Sequence, residues 1–289
     1  MTTMKKLFFG CCLLMLMVAC EGGKKKIDPF ETLTGQIDSL KVHTDSVHAD
    51  TALVVEDVIP PSADESFADF FYNFASDEKF QLSRIVFPVS TYKGDKIVRV
   101  PKEEWQHDYL FSRDPAYTVL FDREEDMEME KDTSMRSVQV DIINLVRSQI
   151  KRYYFQRKKQ SWFLEAINLQ RLVHETDGEE DFMQFYEKFS SDSVFQAERL
   201  ADPLGFVTAD PDDEFQILET TLEPGQWFAF RPPMMAGKLT NVHYGQKEDL
   251  HSDSKIVEFK GFGNGFSNTL YFERRGGIWK LIQFEDLSD

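Results

Sequence analysis

Aromatic residues recur at helical spacing in two places along the chain. In each place four rings stand at positions i, i+3, i+4 and i+7, which fall on one face of a helix with 3.6 residues per turn. The two sets are Phe67, Phe70, Phe71 and Phe74, and Phe182, Phe185, Tyr186 and Phe189. The pattern therefore predicts two amphipathic helices, each of which buries an aromatic stripe.

Each aromatic stripe leads into the same motif, SDxxFQxxRxxxP. It appears as SDEKFQLSRIVFP from Ser76 and as SDSVFQAERLADP from Ser191. Residues 65–88 align with residues 180–203 without gaps, and ten of the 24 aligned positions are identical. The chain is therefore predicted to contain two copies of one structural unit.

The motif itself predicts a second, shorter helix in each copy. Ser76 or Asp77 in the first copy is expected to cap this helix, because short polar side chains accept hydrogen bonds from free backbone N–H groups. Ser and Asp occupy the equivalent places in the second copy. Pro88 and Pro203 are expected to help end the helix, since the residue before a proline avoids helical backbone.

The later part of each copy has the alternation of apolar and polar residues that is typical of strands. Val138, Val140 and Ile142 alternate with polar residues, and the windows YYFQRKKQSWFL and LYFERRGGIWKL match at an offset of 117. Gly276-Gly277 predicts a hairpin turn, because glycine tolerates positive φ. Helices followed by an antiparallel meander form an α+β pattern.

The order of elements and the length of each copy resemble the NTF2-like (cystatin-like) fold. This resemblance implies two tandem domains, each with two or three N-terminal helices packed on a curved antiparallel sheet. The boundaries are predicted as a first α+β unit at 64–173 and a second at 174–289. The interpretation also predicts that residues 64–173 fold without the second copy.

The N-terminal segment has the pattern of an export signal. Two lysines precede an apolar run of roughly secretory-signal length, and the run ends in Met-Val-Ala-Cys at Met17–Cys20. This ending resembles the lipobox of bacterial lipoproteins, with Met in place of the usual Leu. The resemblance implies a signal peptide at residues 1–19, cleavage before Cys20, and attachment of acyl chains to Cys20.

Residues 20–63 are predicted to be a flexible tether, because the stretch is polar and has a single aromatic residue, Phe30. Glu21 follows the lipidated cysteine where a retention signal for the inner membrane favours Asp, so we expect the outer membrane. The lysines at 24–26 are unlike an acidic surface-export tract, which favours the periplasmic face. The whole chain resembles two-domain lipoproteins of gut Bacteroidetes, a family to which no activity is assigned.

Charge and cysteine usage limit the possible chemistry. The formal net charge of −17 would repel phosphate backbones, so nucleic-acid binding is not expected. All three cysteines, Cys11, Cys12 and Cys20, lie in or directly after the signal. The exported body therefore has neither a disulfide nor a cysteine nucleophile. The six histidines show no ligand spacing, so no metal and no cofactor are expected.

Two kinds of residue in the copies are candidates for a structural role or for ligand binding. Arg84 and Arg199 follow the motif phenylalanines by four positions and therefore share a helix face with them. Each arginine is expected either to fasten its helix to the sheet through a carboxylate or carbonyl partner, or to bind an anionic ligand. Trp105 and Trp227 lie in the irregular stretch of each copy and are candidates for a structural role or for ligand binding.

Three further residues could form an acid/base site inside one domain. His107 and Asp141 belong to the first copy and His243 to the second. An aspartate and a histidine at hydrogen-bond distance could transfer protons. The residues shared by the two copies are, however, mostly core, cap and turn types, which disfavours a duplicated catalytic site.

Three functions remain open from the sequence. The first is a non-enzymatic envelope protein with a binding role. Its partner is either a small apolar or sugar-like ligand inside one domain or another envelope protein at the groove between the domains. The second is a hydrolase or isomerase with an acid/base site inside one domain, and the third is a structural part of the envelope. In all three, the lipid anchor makes the membrane a partner.

Overall fold

The structure is a computed structural model that describes residues 66–174, 178–210 and 212–288, with the side chains of residues 213–215 left out. The predicted signal peptide, Cys20 and the predicted tether lie outside the described residues. The described residues belong to one compact unit. We call residues 66–174 the first half and residues 178–288 the second half.

The two halves contain the same elements in nearly the same order. The first half comprises α1 (Phe67–Ser76), α2 (Glu78–Ser83), β1 (Ile85–Lys93), β2 (Lys96–Val100), β3 (Tyr117–Phe121), β4 (Ser137–Asn144), β5 (Gln149–Lys158) and β6 (Ser161–Arg171), with 3-10 helices at Lys102–Glu104 and Glu124–Lys131. The second half comprises α3 (Phe182–Ser191), α4 (Ser193–Glu198), β7 (Leu200–Asp210), β8 (Asp213–Leu222), α5 (Trp227–Phe230), β9 (Lys238–His243), β10 (Ser254–Lys260), β11 (Ser267–Arg275) and β12 (Ile278–Asp286). The predicted α+β class is confirmed.

The aromatic stripes of α1 and α3 pack on equivalent rings of the sheets. Phe155 on β5 contacts all four rings of the α1 stripe, at centroid distances of 5.2–5.7 Å. Phe272 on β11 contacts the four rings of the α3 stripe, at 5.2–6.1 Å. All eight contacts are edge-to-face, which is a favourable geometry for aromatic pairs. Each helix therefore packs on its sheet around one central phenylalanine.

The motif aspartates cap the short helices. Asp77 Oδ1 accepts from the backbone N–H of Phe80 at 2.9 Å, and Asp192 Oδ1 accepts from Phe195 at 3.1 Å. The prolines differ from expectation. Pro88 and Pro203 lie inside β1 and β7, each after a cis peptide bond, and the helices end before them at Ser83 and Glu198.

The sheets are mixed, whereas the sequence predicted antiparallel ones. The strand orders are β2-β1-β6-β5-β4-β9 in the first sheet and β3-β10-β11-β12-β7-β8 in the second. Strands β1 and β6 pair in parallel, as do β7 and β12, and all other pairs are antiparallel. The parallel pair arises because the first strand after the helices lies beside the last strand of the same half.

The two halves exchange one strand each. Strand β9 of the second half pairs with β4 at the edge of the first sheet. Strand β3 of the first half pairs with β10 at the edge of the second sheet. Every side chain of β3 is buried. A division of the chain at residue 174 therefore separates each sheet from one of its strands, which the sequence did not predict.

Candidate functional site

A buried glutamine of the repeated motif organises the first half. Gln81 donates through Nε2 to the carbonyls of Phe74, at 2.8 Å, and Asp108, at 2.7 Å. Its Oε1 accepts from Trp105 Nε1 and from the Asp108 backbone N–H, both at 2.9 Å. All four hydrogen bonds of the amide are satisfied, so Gln81 fixes the segment 105–108 against the helices. Sequence reasoning missed this residue, although its recurrence in both motifs was a visible signal.

The second half has an equivalent arrangement. Gln196 is buried, donates to the Phe189 carbonyl, and accepts from Trp227 Nε1 at 3.2 Å and from Arg231 Nη1 at 2.6 Å. Trp105 and Trp227 therefore both use their indole N–H to hold the fold. This geometry favours the structural alternative for the two tryptophans.

An open groove of about 600 Å³ lies at one end of the first sheet. It is formed by β1, β5, β6 and the segment that Gln81 holds. We call it the open groove and define it by its main lining residues: Thr91, Lys93, Trp105, His107, Asp108 and Lys151.

Asp108 is the centre of charge in the open groove. Its Oδ2 accepts from Lys151 Nζ at 2.5 Å and from the Tyr153 hydroxyl at 2.6 Å, and its Oδ1 accepts from the Leu110 N–H at 3.1 Å. Burial would raise the pKa of Asp108, but the charge of Lys151 and these hydrogen bonds lower it below its usual value. Burial and then Asp108 itself raise the pKa of Tyr153 well above its usual value.

His107 has a buried polar atom in the open groove. No described residue hydrogen-bonds to its Nε2, and its ring stands 4.2 Å from that of Tyr109. A buried polar atom without a partner is costly, and a bound ligand or water would satisfy it. His107 and Asp141, considered together from the sequence, form no pair.

Aromatic rings line the corresponding region of the second half. Phe206 stacks on Phe284 at 5.4 Å and contacts Phe230 at 5.6 Å, and Trp227 meets Phe284 edge-on at 5.4 Å. Phe230 follows Trp227 by three positions, as Asp108 follows Trp105. The two halves thus differ where they could bind a ligand, because the polar groups of the first half are replaced by apolar ones in the second.

Asp141 and His243 lie together, although they come from different halves. His243 Nε2 is 3.0 Å from Asp141 Oδ2, and Arg152 donates to both carboxylate oxygens of Asp141 at 2.7 Å. The strand exchange causes this contact, since β9 pairs directly with β4. Burial would raise the pKa of Asp141, but Arg152 and His243 lower it. The carboxylate is thus already saturated with donors, which does not suit a general base.

The motif arginines lie against aromatic rings. Arg199 binds Glu180 with two hydrogen bonds, of 2.7 and 3.0 Å, and donates to the Trp279 carbonyl at 3.2 Å. Its guanidinium also stands 4.5 Å from the centre of the Phe195 ring. Arg84 is buried, with its guanidinium 4.9 Å from the Phe80 ring. For Arg199, this geometry favours fastening of the helix over ligand binding.

These features define the class of protein to which the chain belongs. The chain superposes with a TM-score of 0.76 on the crystal structure of an NTF2-like protein from Bacteroides fragilis NCTC 9343. The two sequences are 51% identical over 80% of this chain and 100% of that one. The NTF2-like fold expected from the sequence is therefore confirmed.

The family follows from the sequence match. Residues 46–286 match the model of the domain of unknown function DUF4348, and the chain belongs to that family. A search of curated proteins found no match. In the described part of the chain, no helix is long and apolar enough to cross a membrane.

Proposed function

We propose that the protein is a lipid-anchored envelope protein that binds a small, sugar-like ligand in the open groove of its first half. The observation that carries the proposal is the difference between the halves. One fold places charged and hydrogen-bonding groups around an open groove in the first half and packs phenylalanines into the same region of the second. A purely structural pair of domains would have no need to keep the first groove open and polar.

The ligand class follows from the groups that remain available. Both oxygens of Asp108 already accept hydrogen bonds, whereas Lys151 uses one of its three donors on Asp108. Lys93 adds a further ammonium at the groove. Free donors match ligand acceptors, so hydroxyl or carboxylate oxygens are the expected partners. Trp105 and Tyr109 add aromatic surface beside these donors.

Binding is favoured over catalysis by the state of the carboxylates. A general base needs a pKa near the working pH, and neighbouring cations lower the pKa of both Asp108 and Asp141. The hydrolase or isomerase alternative would require one of them to be poised for proton transfer. Their hydrogen-bond partners hold them in the ionised form instead.

The proposed localisation in the cell envelope rests on the N-terminal sequence. The lipobox-like Met17–Cys20 supports lipidation of Cys20, with Glu21 favouring the outer membrane and its periplasmic face. The related chain from Bacteroides fragilis is consistent with membership among lipoproteins of gut Bacteroidetes. The repeated sequence and the matching elements of the halves support an origin by duplication.

Ligand retention tests the binding proposal. The full-length protein is purified in detergent and examined by native mass spectrometry, and glucose and glucuronate are then titrated by calorimetry. We expect retained ligand or saccharide binding, and we expect Lys151→Met to weaken it at least tenfold. The matched control is Phe230→Ala, which alters the aromatic region of the second half and should leave binding unchanged.

Two results would overturn the binding proposal. One is an absence of any retained ligand together with an absence of binding of either saccharide. The other is wild-type affinity in Lys151→Met. Because Lys151→Met could disturb Asp108, thermal unfolding of the variant is measured first, and Lys93→Ala serves as a second variant that leaves Asp108 paired.

A further inference from the structure

A separate cavity lies between the two halves. It has a volume of about 170 Å³ and is bounded by α1, β3, the end of β9, and the loop that joins β10 to β11. We call it the aromatic cavity because its walls consist mainly of rings: Phe67, Phe71, Tyr72, Tyr117, Tyr244 and Phe262. It shares no lining residue with the open groove.

The loop from β10 to β11 supplies one wall of the aromatic cavity. The ring of Phe262 lies 5.3 Å from Tyr117 and 5.7 Å from Tyr72. Gly261 holds the loop in this shape, since a Cβ there would stand 1.8 Å from Asn264 Oδ1, which accepts from the Phe266 N–H. A phenylalanine of the second half is thereby fixed against the helix of the first.

The strand exchange supplies the back wall. Val242 and Tyr244 belong to β9 and the residues directly after it, and both line the cavity beside Tyr117 of β3. Both tyrosines are buried. The cavity therefore exists only because each half contributes a strand to the other.

The surroundings of the aromatic cavity are acidic. Asp69 is part of its lining, and the described lining residues include no lysine, arginine or histidine. Burial raises the pKa of Tyr117, and the charges of Glu130, Glu258 and Asp69 raise it further. Lys260 pairs with both Glu130 and Glu258. Three carboxylates, of Asp69, Glu130 and Glu258, against the ammonium groups of Lys260 and Lys131 leave a net negative charge near the rings.

We propose that the aromatic cavity binds a small organic cation, an alkylated ammonium group. Aromatic faces attract cations, and desolvated rings such as those of Tyr117 and Tyr244 do so most strongly. The exposed carboxylate of Asp69 lies at the wall of the cavity. The size is suitable, since a cavity of about 150 Å³ holds benzene, and a trimethylammonium group is of similar bulk.

A pair of probes of equal shape tests the charge requirement. Choline and its neutral isostere 3,3-dimethylbutan-1-ol are titrated into the full-length protein by calorimetry, with tyrosine ring shifts followed by NMR. We expect choline to bind at least about fivefold more tightly than the isostere, since that is the range of a cation–π contact. We expect Asp69→Asn to reduce this preference, whereas Asp95→Asn, in the remote β1–β2 turn, should not.

The outcomes separate this site from the open groove. Equal affinity for choline and the isostere would show a merely apolar cavity and overturn the proposal, as would an absence of choline binding. Lys151→Met, which addresses the open groove, should leave choline binding unchanged. Phe262→Ala should weaken choline binding without altering saccharide binding, and the reverse result would also contradict the assignment.

Discussion

Thr118 and Thr240 form a reciprocal set of four hydrogen bonds at the crossing of the exchanged strands. The hydroxyl of Thr118 donates to the Thr240 carbonyl at 2.7 Å and accepts from the Thr240 N–H at 2.9 Å. The hydroxyl of Thr240 donates to the Thr118 carbonyl at 2.8 Å and accepts from the Thr118 N–H at 2.5 Å. Both residues are fully buried. The two strands thus form hydrogen bonds to each other's backbone N–H and C=O groups, at a point where neither sheet supplies a partner.

Removal of one of these hydroxyls should strongly destabilise the unit. Thr118→Val keeps the shape but leaves a buried N–H and a buried carbonyl of Thr240 without partners, at an expected cost of about 2–4 kcal/mol. Chemical denaturation gives the free energy of unfolding. Thr220→Val, on the exposed face of β8, is the control and should change it by no more than about 0.5 kcal/mol. A Thr118→Val protein as stable as the control would show that the reciprocal bonds contribute little.

The exchange changes the expectation for an isolated half. The sequence predicts that residues 64–173 fold alone, whereas in the structure β4 needs β9, and β3 has its partner strand in the other half. We now expect residues 64–173 to lack a cooperative unfolding transition, while residues 58–289 retain one. Circular dichroism during heating distinguishes the two. A sharp transition in the shorter fragment would restore the original prediction.

The ion pair between Arg199 and Glu180 should stabilise the second half. Both side chains are mostly buried, so Arg199→Ala leaves the Glu180 carboxylate without its main partner, at a cost of about 3 kcal/mol. Arg84→Ala, at the equivalent motif position, should destabilise the first half. Arg275→Ala is the control, because that side chain is 74% exposed. If both motif variants have the same free energy of unfolding as the control, the prediction that these arginines fasten the helices is wrong.

Asp141 should make stability fall in acid. Because its pKa is lower in the folded protein than the ordinary 3.8, the unfolded chain binds the proton more readily. The contribution of ionised Asp141 to the free energy of unfolding is therefore complete above about pH 4, and it is lost as the pH falls toward the pKa of Asp141 in the folded protein. We expect Asp141→Asn to reduce the dependence of unfolding free energy on pH below pH 4. An unchanged slope between about pH 4 and pH 2 would contradict this.

Lipidation of Cys20 remains a prediction from the sequence. Cys20→Ala removes the thiol that would receive the lipid, so the variant should move from the membrane fraction to the soluble envelope fraction. Fractionation with immunoblotting measures this, and Cys12→Ala, inside the predicted signal peptide, serves as the control. Membrane association of Cys20→Ala at the wild-type level would refute the lipid anchor.

The sequence by itself determined the local elements. The aromatic stripes predicted α1 and α3 because helical spacing places four rings on one face. The Ser-Asp pair of each motif predicted a helix cap, and the structure assigns the cap to Asp77 and Asp192. The hairpin turn at Gly276-Gly277 was predicted because glycine tolerates positive φ, and both glycines have positive φ in the structure. These features depend on residues a few positions apart, so a linear pattern is enough to specify them.

Only the tertiary structure decided which strands pair and what they bring together. A strand such as β3 is buried on both faces, so its sequence suits the edge of either sheet, and no short-range pattern indicates which edge it joins. The contact between Asp141 and His243 spans 102 residues and depends wholly on that choice. The same holds for the aromatic cavity, because its walls come from both halves and meet only after the strands have been exchanged.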